Sequence, residues 1–135
     1  MESFKIVRPE HLNHYGFLFG GTLLHWVDET AYIAASLNHP GCNFVTVGMD
    51  RVAFKKNVRQ GSILRFDVQE TRVGRTSVAC SVVVHARTIQ TGEEELVFST
   101  GITFVCVDNC GKKAVVGEQR QDVCPLDSVT QSAPK

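Results

Sequence analysis

One long and almost wholly apolar helical segment, Gly20–Asn38, limits what this chain can fold into more than any other feature. At about 100° per residue its apolar side chains cover well over half of the circumference, which predicts a helix buried on most sides. His39, Pro40 and Gly41 follow directly, and proline and glycine at such a place predict the end of a helix. The polar positions share one narrow arc, with Asp28 at its edge: Gly21, His25, Asp28, Glu29 and Tyr32. The rest of the chain must therefore surround this helix.

Four segments after the helix alternate between apolar and polar residues, which predicts β-strands. They cover residues 44–56, 62–73, 76–89 and 96–107, and residues 4–8 are a candidate for a fifth strand. The side chains expected to point inward are Leu64, Phe66 and Val68, then Val78, Cys80, Val82 and Val84, then Leu96, Phe98, Ile102 and Phe104. Short connections favour antiparallel pairing of neighbours. The pattern predicts an α+β domain whose antiparallel sheet curls around the helix.

The composition is that of one globular domain without a broad electrostatic field. A length of 135 residues fits a single core, which we place at residues 1–116. The polar residues 117–135 are expected to form an extension or a partly disordered tail. The 14 basic and 14 acidic residues balance, which argues against nucleic acid or a membrane surface as a partner. No segment approaches the ~18 apolar residues of a membrane-spanning helix.

The cysteines favour a reducing compartment. There are five of them, no two form a CxxC pair, and the first nine residues mix charges with single apolar residues, unlike a secretory leader. We therefore expect free thiols and a cytoplasmic location. The cysteines are Cys42, Cys80, Cys106, Cys110 and Cys124.

The loop before the helix and the first two helical turns contain the residues best suited to chemistry. Gly20 and Gly21 allow close approach of a ligand and leave the first helix amides free to bind an oxyanion. Asp28 lies seven residues beyond Gly21 on the same helical face, where its carboxylate would act as a base. The alternatives are that the glycines only form a tight helix entry and that Asp28 is an ordinary polar residue. Glu29 points about 100° away and is interpreted as structural or as a residue that supports the site from behind.

These residues also resemble a known family. Asn13, residues 16–21 and residues 26–29 resemble the signature of hotdog-fold acyl-CoA thioesterases, in particular the YciA-like hydrolases and the brain-type and brown-fat-type acyl-CoA hydrolases. The resemblance continues through residues 45–47, 50–56, 61, 73–77 and 104–108. It implies a hotdog fold, in which a five- to six-stranded antiparallel sheet wraps one long central helix. It also implies a homodimer joined through a continuous sheet, with active sites between the subunits, assembling to a tetramer or hexamer.

The resemblance implies roles for particular residues. Asp28 would be the general base or nucleophile, Asn13 of the partner subunit would orient the thioester or water, and the Gly20 and Gly21 amides would bind the carbonyl oxygen. The expected reaction is hydrolysis of acyl-CoA to a free carboxylic acid and coenzyme A, with neither metal nor redox cofactor. Where the family often has a proline after the Phe-Lys-Lys stretch, this chain has Asn57.

Coenzyme A is part of the substrate and its phosphates require cations. The resemblance implies contacts with coenzyme A at Arg75, Thr76 and Ser77, and the guanidinium fork suits a phosphate. Lys55 and Lys56 are adjacent and would face opposite ways on a strand, so that only one lines a site, for which we favour Lys56.

Two other functions and a metal site are alternatives for this sequence. A dehydratase of the same fold would need a histidine paired with an acid, for which His14 or His25 would have to serve. A non-catalytic module that only binds acyl-CoA is the second alternative, and the presence of both Asn13 and Asp28 argues against it. His11 and His14 have no second pair of ligands at a useful spacing, so we expect no zinc site.

Overall fold

The computed structural model describes residues 1–117. In chain order the elements are β1 (Glu2–Ile6), a short 3-10 turn (Pro9–His11), α1 (Gly20–Asn38), β2 (Asn43–Phe54), β3 (Ile63–Val73), β4 (Ser77–Arg87) and β5 (Glu94–Val107). All neighbouring strands are antiparallel, and the sheet order is β1-β3-β4-β5-β2. This confirms the predicted α+β fold with a fifth strand near the amino terminus. The expected polar tail lies outside the described residues from position 118 on.

Helix α1 begins and ends where the sequence predicts. Its buried side chains are Leu23, Trp26, Val27, Thr30, Ala31, Ala34 and Ala35, which pack against the sheet. Trp26 belongs to the core and lies edge-on against His11 and Phe66. The prediction that the helix is buried on most sides is wrong for a single chain, because Ile33 and Leu37 are 41% and 70% exposed. One apolar face of the helix is therefore uncovered.

The inward side chains of β3 and β4 follow the predicted alternation, but β5 departs from it at its start. Leu96 is 36% exposed, whereas Val97 and Phe98 are both buried. The pairing of β4 with β5 shifts at this point. Val84 is paired with Phe98, but the next residue, His85, is paired with Leu96, so Val97 is the extra residue. The extra residue of such a bulge reverses the alternation, so the inward position predicted for Leu96 belongs to Val97.

Strand β2 is an uncovered edge of the sheet. Its pairing with β5 shifts between Thr46 and Gly48 and again between Asp50 and Ala53. Arg51, inside the second irregularity, has a φ of 50°, a left-handed conformation that is uncommon outside glycine. Apolar side chains remain exposed along the strand, namely Val45, Val47, Val52 and Phe54. A long edge with exposed apolar side chains is a surface to which another strand can be added.

The carboxyl end of α1 is attached to β3 by a small polar cluster. The Nε2 atom of His39 lies 2.8 Å from Oε1 of Glu70, and Asn38 donates to Oε2 of the same carboxylate at 2.9 Å. Burial alone would raise the pKa of Glu70, but the hydrogen bonds from His39 and Asn38 and the charge of His39 outweigh burial and lower this pKa. The cluster fixes the helix relative to the sheet.

The described cysteines differ in state. Cys42 and Cys80 are free thiols, as expected, and Cys106 forms no disulfide. Burial, and then the charge of Glu70, raise the pKa of Cys80 to about 11, which makes it an inert core residue. Cys110 is disulfide-bonded, so the expectation of a free thiol is wrong at this position. Cys124 lies outside the described residues.

Candidate active site

The first amides of α1 are open to a ligand. Leu23 is the first helical residue whose N–H donates to a backbone carbonyl, that of Phe19, at 3.2 Å. Phe19 makes no side-chain cap, and within residues 1–117 the N–H groups of Gly20 and Gly21 have no protein acceptor. A Cβ on Gly21 would lie 2.9 Å from the Phe19 ring, and one on Gly20 would lie 3.5 Å from the Phe54 ring. Each glycine therefore lies close to an aromatic ring, and the two unpaired N–H groups can donate to a developing oxyanion.

Asn13 is held by the loop that precedes the helix. Its Oδ1 atom accepts hydrogen bonds from the N–H groups of Tyr15 and Phe17, at 2.9 and 3.1 Å. Gly16 turns this loop with a φ of 85°, where a side chain would be strained. Because the amide oxygen is used within the loop, the Nδ2 group remains to donate to a ligand.

Three predicted site residues meet in one cleft. Asn13, Gly20 and Lys56 line a cleft of about 430 Å³ at the amino end of α1. Its floor is apolar and formed by the buried side chains of Leu18, Leu23 and Val58, and Phe54 forms one wall. The volume lies within the range of small-molecule sites, about 300–1,000 Å³.

Lys55 and Lys56 both line this cleft, so the expectation that only one of them does is wrong. The reason is that β2 ends at Phe54, before both lysines, and strand alternation no longer applies. The Nζ atom of Lys56 donates to Oε2 of Glu95 at 2.8 Å. This hydrogen bond and the charge of Glu95 raise the pKa of Lys56. Its charge is thus already matched by a carboxylate.

Asp28 lies apart from this cleft and contacts β2. The hydroxyl of Thr46 donates to Oδ1 of Asp28 at 2.6 Å, which fixes the half-buried carboxylate. Thr46 was not singled out from the sequence, and the only signal was a hydroxyl among apolar residues of a strand. Glu29 is exposed, and its Oε2 atom lies 3.9 Å from Nε2 of His25. The two predicted acids therefore have different surroundings.

The predicted coenzyme A contacts lie at the turn between β3 and β4. The N–H of Gly74 donates to the carbonyl of Ser77, and the carbonyl of Arg75 accepts from Val116, both at 2.8 Å. Arg75 is exposed and makes no ion pair within residues 1–117. Thr76 and Ser77 lead from this turn into β4.

The sheet register separates these residues into two groups. Val78, beside the turn, is paired with Phe104, and Phe104 is paired with Thr46. Phe54, beside the cleft, is paired with Phe98, six residues away from Phe104, a distance of about 20 Å along a strand. We call Asp28, Thr46 and the 75–77 turn the acid cluster, and Asn13, Gly20, Gly21 and Lys56 the amide cluster. A single chain holds them at opposite ends of β2.

The histidines are engaged elsewhere. Nδ1 of His11 accepts the N–H of Arg8 at 3.0 Å, and the ring of His14 lies 4.0 Å from that of Tyr15. Neither these residues nor His25 makes a hydrogen bond with Asp28 in the described structure. Over the same residues, no group of three or more histidine, cysteine, aspartate or glutamate side chains is arranged to hold a metal. No described helix has the length and apolar character needed to cross a membrane.

The chain is similar in sequence to known thioesterases. A family model for the thioesterase superfamily matches residues 15–93. An uncharacterized acyl-CoA thioester hydrolase of Bacillus subtilis is 33% identical over 131 residues, which cover 94% of this chain and 76% of that protein. Rat acetyl-coenzyme A thioesterase is 36% identical over 111 residues, 82% of this chain but only 20% of that longer protein.

Solved structures agree in fold. A hexameric hotdog-fold thioesterase of Campylobacter jejuni has a TM-score of 0.75 at 33% identity, covering 84% of this chain and 87% of that one. The acyl-CoA hydrolase of Staphylococcus aureus, in complex with butyryl coenzyme A, has a TM-score of 0.78 at 27% identity, covering 98% and 80%. Alanine variants of that hydrolase at an asparagine, a threonine and an aspartate match as well. This chain belongs to the thioesterase superfamily and has the hotdog fold of its acyl-CoA thioesterases.

Proposed function

We propose that this protein hydrolyses acyl-CoA thioesters to a free carboxylic acid and coenzyme A, with Asp28 as the reacting carboxylate. The observation that best supports this is the hydrogen bond from Thr46 to Oδ1 of Asp28. It uses one carboxylate oxygen and leaves Oδ2 for a water or for the substrate. The reaction needs only this carboxylate, oriented donors and a binding surface, and no redox or metal cofactor forms part of the proposal.

The spacing of the residues supports the assignment. Asn13 and Asp28 are 15 positions apart, as are the asparagine and aspartate replaced in the Staphylococcus aureus hydrolase. Asp28 and Thr46 are 18 positions apart, against 17 between that aspartate and the replaced threonine. The same three residue types thus occur in the same order and at nearly the same intervals.

A homodimer would complete the site. Asp28 and Asn13 lie near opposite ends of β2, and β2 is an uncovered edge with exposed apolar side chains. If two copies join these edges antiparallel about a two-fold axis, the Thr46 end of one strand lies beside the Phe54 end of the other. The acid cluster of one subunit then faces the amide cluster of its partner. Each dimer would hold two such sites.

The chemistry follows from this arrangement. The thioester carbonyl oxygen binds to the partner's Gly20 and Gly21 amides, which stabilise the negative charge that develops on it. Oδ2 of Asp28 either removes a proton from an attacking water or attacks the carbonyl carbon itself. Asn13 of the partner subunit donates through Nδ2 and orients the water or the thioester. With water as the nucleophile, the proton taken by Asp28 passes to the sulfur as the carbon–sulfur bond breaks, and coenzyme A leaves as its thiol. With Asp28 as the nucleophile, the carbon–sulfur bond breaks to give an acyl–Asp28 anhydride, and a water then hydrolyses this anhydride and supplies the proton to the thiolate.

Coenzyme A would bind along the acid cluster. Arg75 offers a planar fork of donors for a phosphate, with the hydroxyls of Thr76 and Ser77 beside it. Lys56 is a weaker candidate, because it would have to exchange Glu95 for a phosphate. We also propose that the dimers assemble into a hexamer, since the Campylobacter jejuni relative is hexameric. The cytoplasm remains the proposed location, supported by the free thiols of Cys42 and Cys80, although the disulfide of Cys110 argues against it.

The decisive experiment is a thiol-release assay on Asp28→Asn. The amide is isosteric and still accepts the Thr46 hydroxyl, but it is neither a base nor an anionic nucleophile. We expect kcat to fall by about 10²–10⁴ with little change in the melting temperature. Glu29→Gln is the matched control, since it makes the same change at the next position and should retain most of the activity. Near-normal turnover of Asp28→Asn would overturn the assignment.

A further inference from the structure

Phe54 forms one wall of the cleft of the amide cluster. Phe54 is the last residue of β2, and its ring is 53% exposed. One side of the ring lies against the buried Phe98, with ring centres 5.0 Å apart and planes at 63°. Its Cε1 and Cζ atoms would lie 3.5 Å from a Cβ on Gly20. The ring is thus anchored in the core and reaches to the amide that would bind the thioester oxygen.

The surface beside this ring suits a hydrocarbon. Leu18, Leu23 and Val58 are at most 8% exposed and form an apolar floor below Gly20. Of the two lysines that line the cleft, Lys56 is paired with Glu95, whereas Lys55 makes no ion pair within residues 1–117. A chain that leaves the carbonyl carbon in this direction passes Phe54 and can contact the apolar floor, while Asn13, Lys55 and Asn57 line the polar part of the cleft. Transfer of each methylene group from water to such an apolar floor is favourable.

We propose that this cleft takes the acyl chain and that Phe54 is the residue that determines which acyl chains fit. The inference rests on the proposed hydrolase function. It specifies which part of the substrate the acid cluster recognises and which part the cleft recognises. The acid cluster binds the coenzyme A part and the cleft of the partner subunit binds the acyl part. The ring limits the cleft at the point where the chain enters, so that its size sets the length and branching accepted.

The test compares acyl-chain profiles of paired variants. For Phe54→Ala, Phe54→Leu and Phe54→Trp, kcat/KM is measured with acetyl-, butyryl-, octanoyl- and palmitoyl-CoA. Removing the ring should raise the ratio of octanoyl- to acetyl-CoA activity by about tenfold or more, and the tryptophan should lower it, since single methylene groups in apolar pockets change specificity by about 10–200-fold. Phe54→Leu keeps an apolar side chain in case the alanine variant does not fold.

Phe4→Ala is the matched control, because Phe4 is also an edge-strand phenylalanine, 58% exposed, but lies on β1 at the opposite side of the sheet. Its profile should equal that of the unmodified protein. If the Phe54 variants change kcat/KM for all four substrates by one common factor, the cleft binds the shared coenzyme A arm and the inference is wrong. If the unmodified protein releases thiol from none of them, the proposed function itself fails, and the inference with it.

Discussion

At the scale of single residues, substitutions of Thr46 test whether its hydroxyl positions the Asp28 carboxylate for the reaction. Thr46→Val removes the hydroxyl with almost no change in shape, and Thr46→Ser keeps it. Because the hydroxyl holds one oxygen of the carboxylate at 2.6 Å, we expect the valine variant to lose about 10–100-fold in kcat, since hydrogen bonds to charged groups contribute about 1.5–3 kcal/mol. KM should change little and serine should restore most of the rate. Equal rates for the valine and serine variants would contradict this positioning role.

The sequence identifies some residues of the site but not others. Asn13, Gly20, Gly21 and Asp28 were found because they lie within one continuous stretch around the start of the helix. Thr46 was missed because its bond to Asp28 joins a helix to a strand across 18 positions, and no local pattern reports such a contact. The positions of Lys55 and Lys56 were also misjudged, since the end of a strand is less certain than its existence.

At the scale of elements, the cluster at the end of α1 makes a prediction about pH. Glu70 has a pKa below its ordinary value of 4.5, so its bonds to His39 and Asn38 stabilise the folded state above pH 4.5 and are lost as the pH falls through the lowered pKa. At neutral pH the free energy of unfolding of Glu70→Gln should be about 1–3 kcal/mol lower than that of the unmodified protein. Its melting temperature should also fall less steeply than that of the unmodified protein below pH 4.5.

Thermal unfolding followed by circular dichroism between pH 3 and pH 7 measures both effects. Glu10→Gln is a suitable control, because Glu10 is exposed and makes no ion pair in the part of the chain described. Parallel pH curves for Glu70→Gln and the unmodified protein would show that this carboxylate does not contribute to acid unfolding.

The elements themselves were largely predictable. The helix has the predicted bounds, since an apolar segment that long, ended by proline and glycine, has few other solutions. The alternation in β3 and β4 is regular and was predicted, whereas the bulge near Val97 was not, because one extra residue leaves no mark in the composition of β5. Leu96 and Val97 are equally apolar, and only the pairing with β4 decides which of them is buried.

At the scale of the whole molecule, the arrangement of the two clusters could not be derived from the sequence pattern. Spacing along the helix suggested that Gly21 and Asp28 serve one substrate from a single chain, whereas the family resemblance implied a second subunit. The register places the cleft with Gly20 near Phe54 and the Asp28 contact near the other end of β2. Only pairing through the sheet determines this separation, since neither cluster is unusual in its local sequence.

Mixing two inactive variants tests whether the subunits share a site. Asn13→Ala and Asp28→Asn, carrying different affinity tags, are expected to be inactive alone and are refolded together. If Asp28 of one subunit acts with Asn13 of the partner subunit, each mixed dimer has one intact site and one doubly substituted site. Because half of the dimers are then mixed, about a quarter of the original activity should return. Each variant refolded alone is the control. If tandem affinity purification recovers mixed dimers that remain inactive, the site lies within one chain and the shared arrangement is wrong.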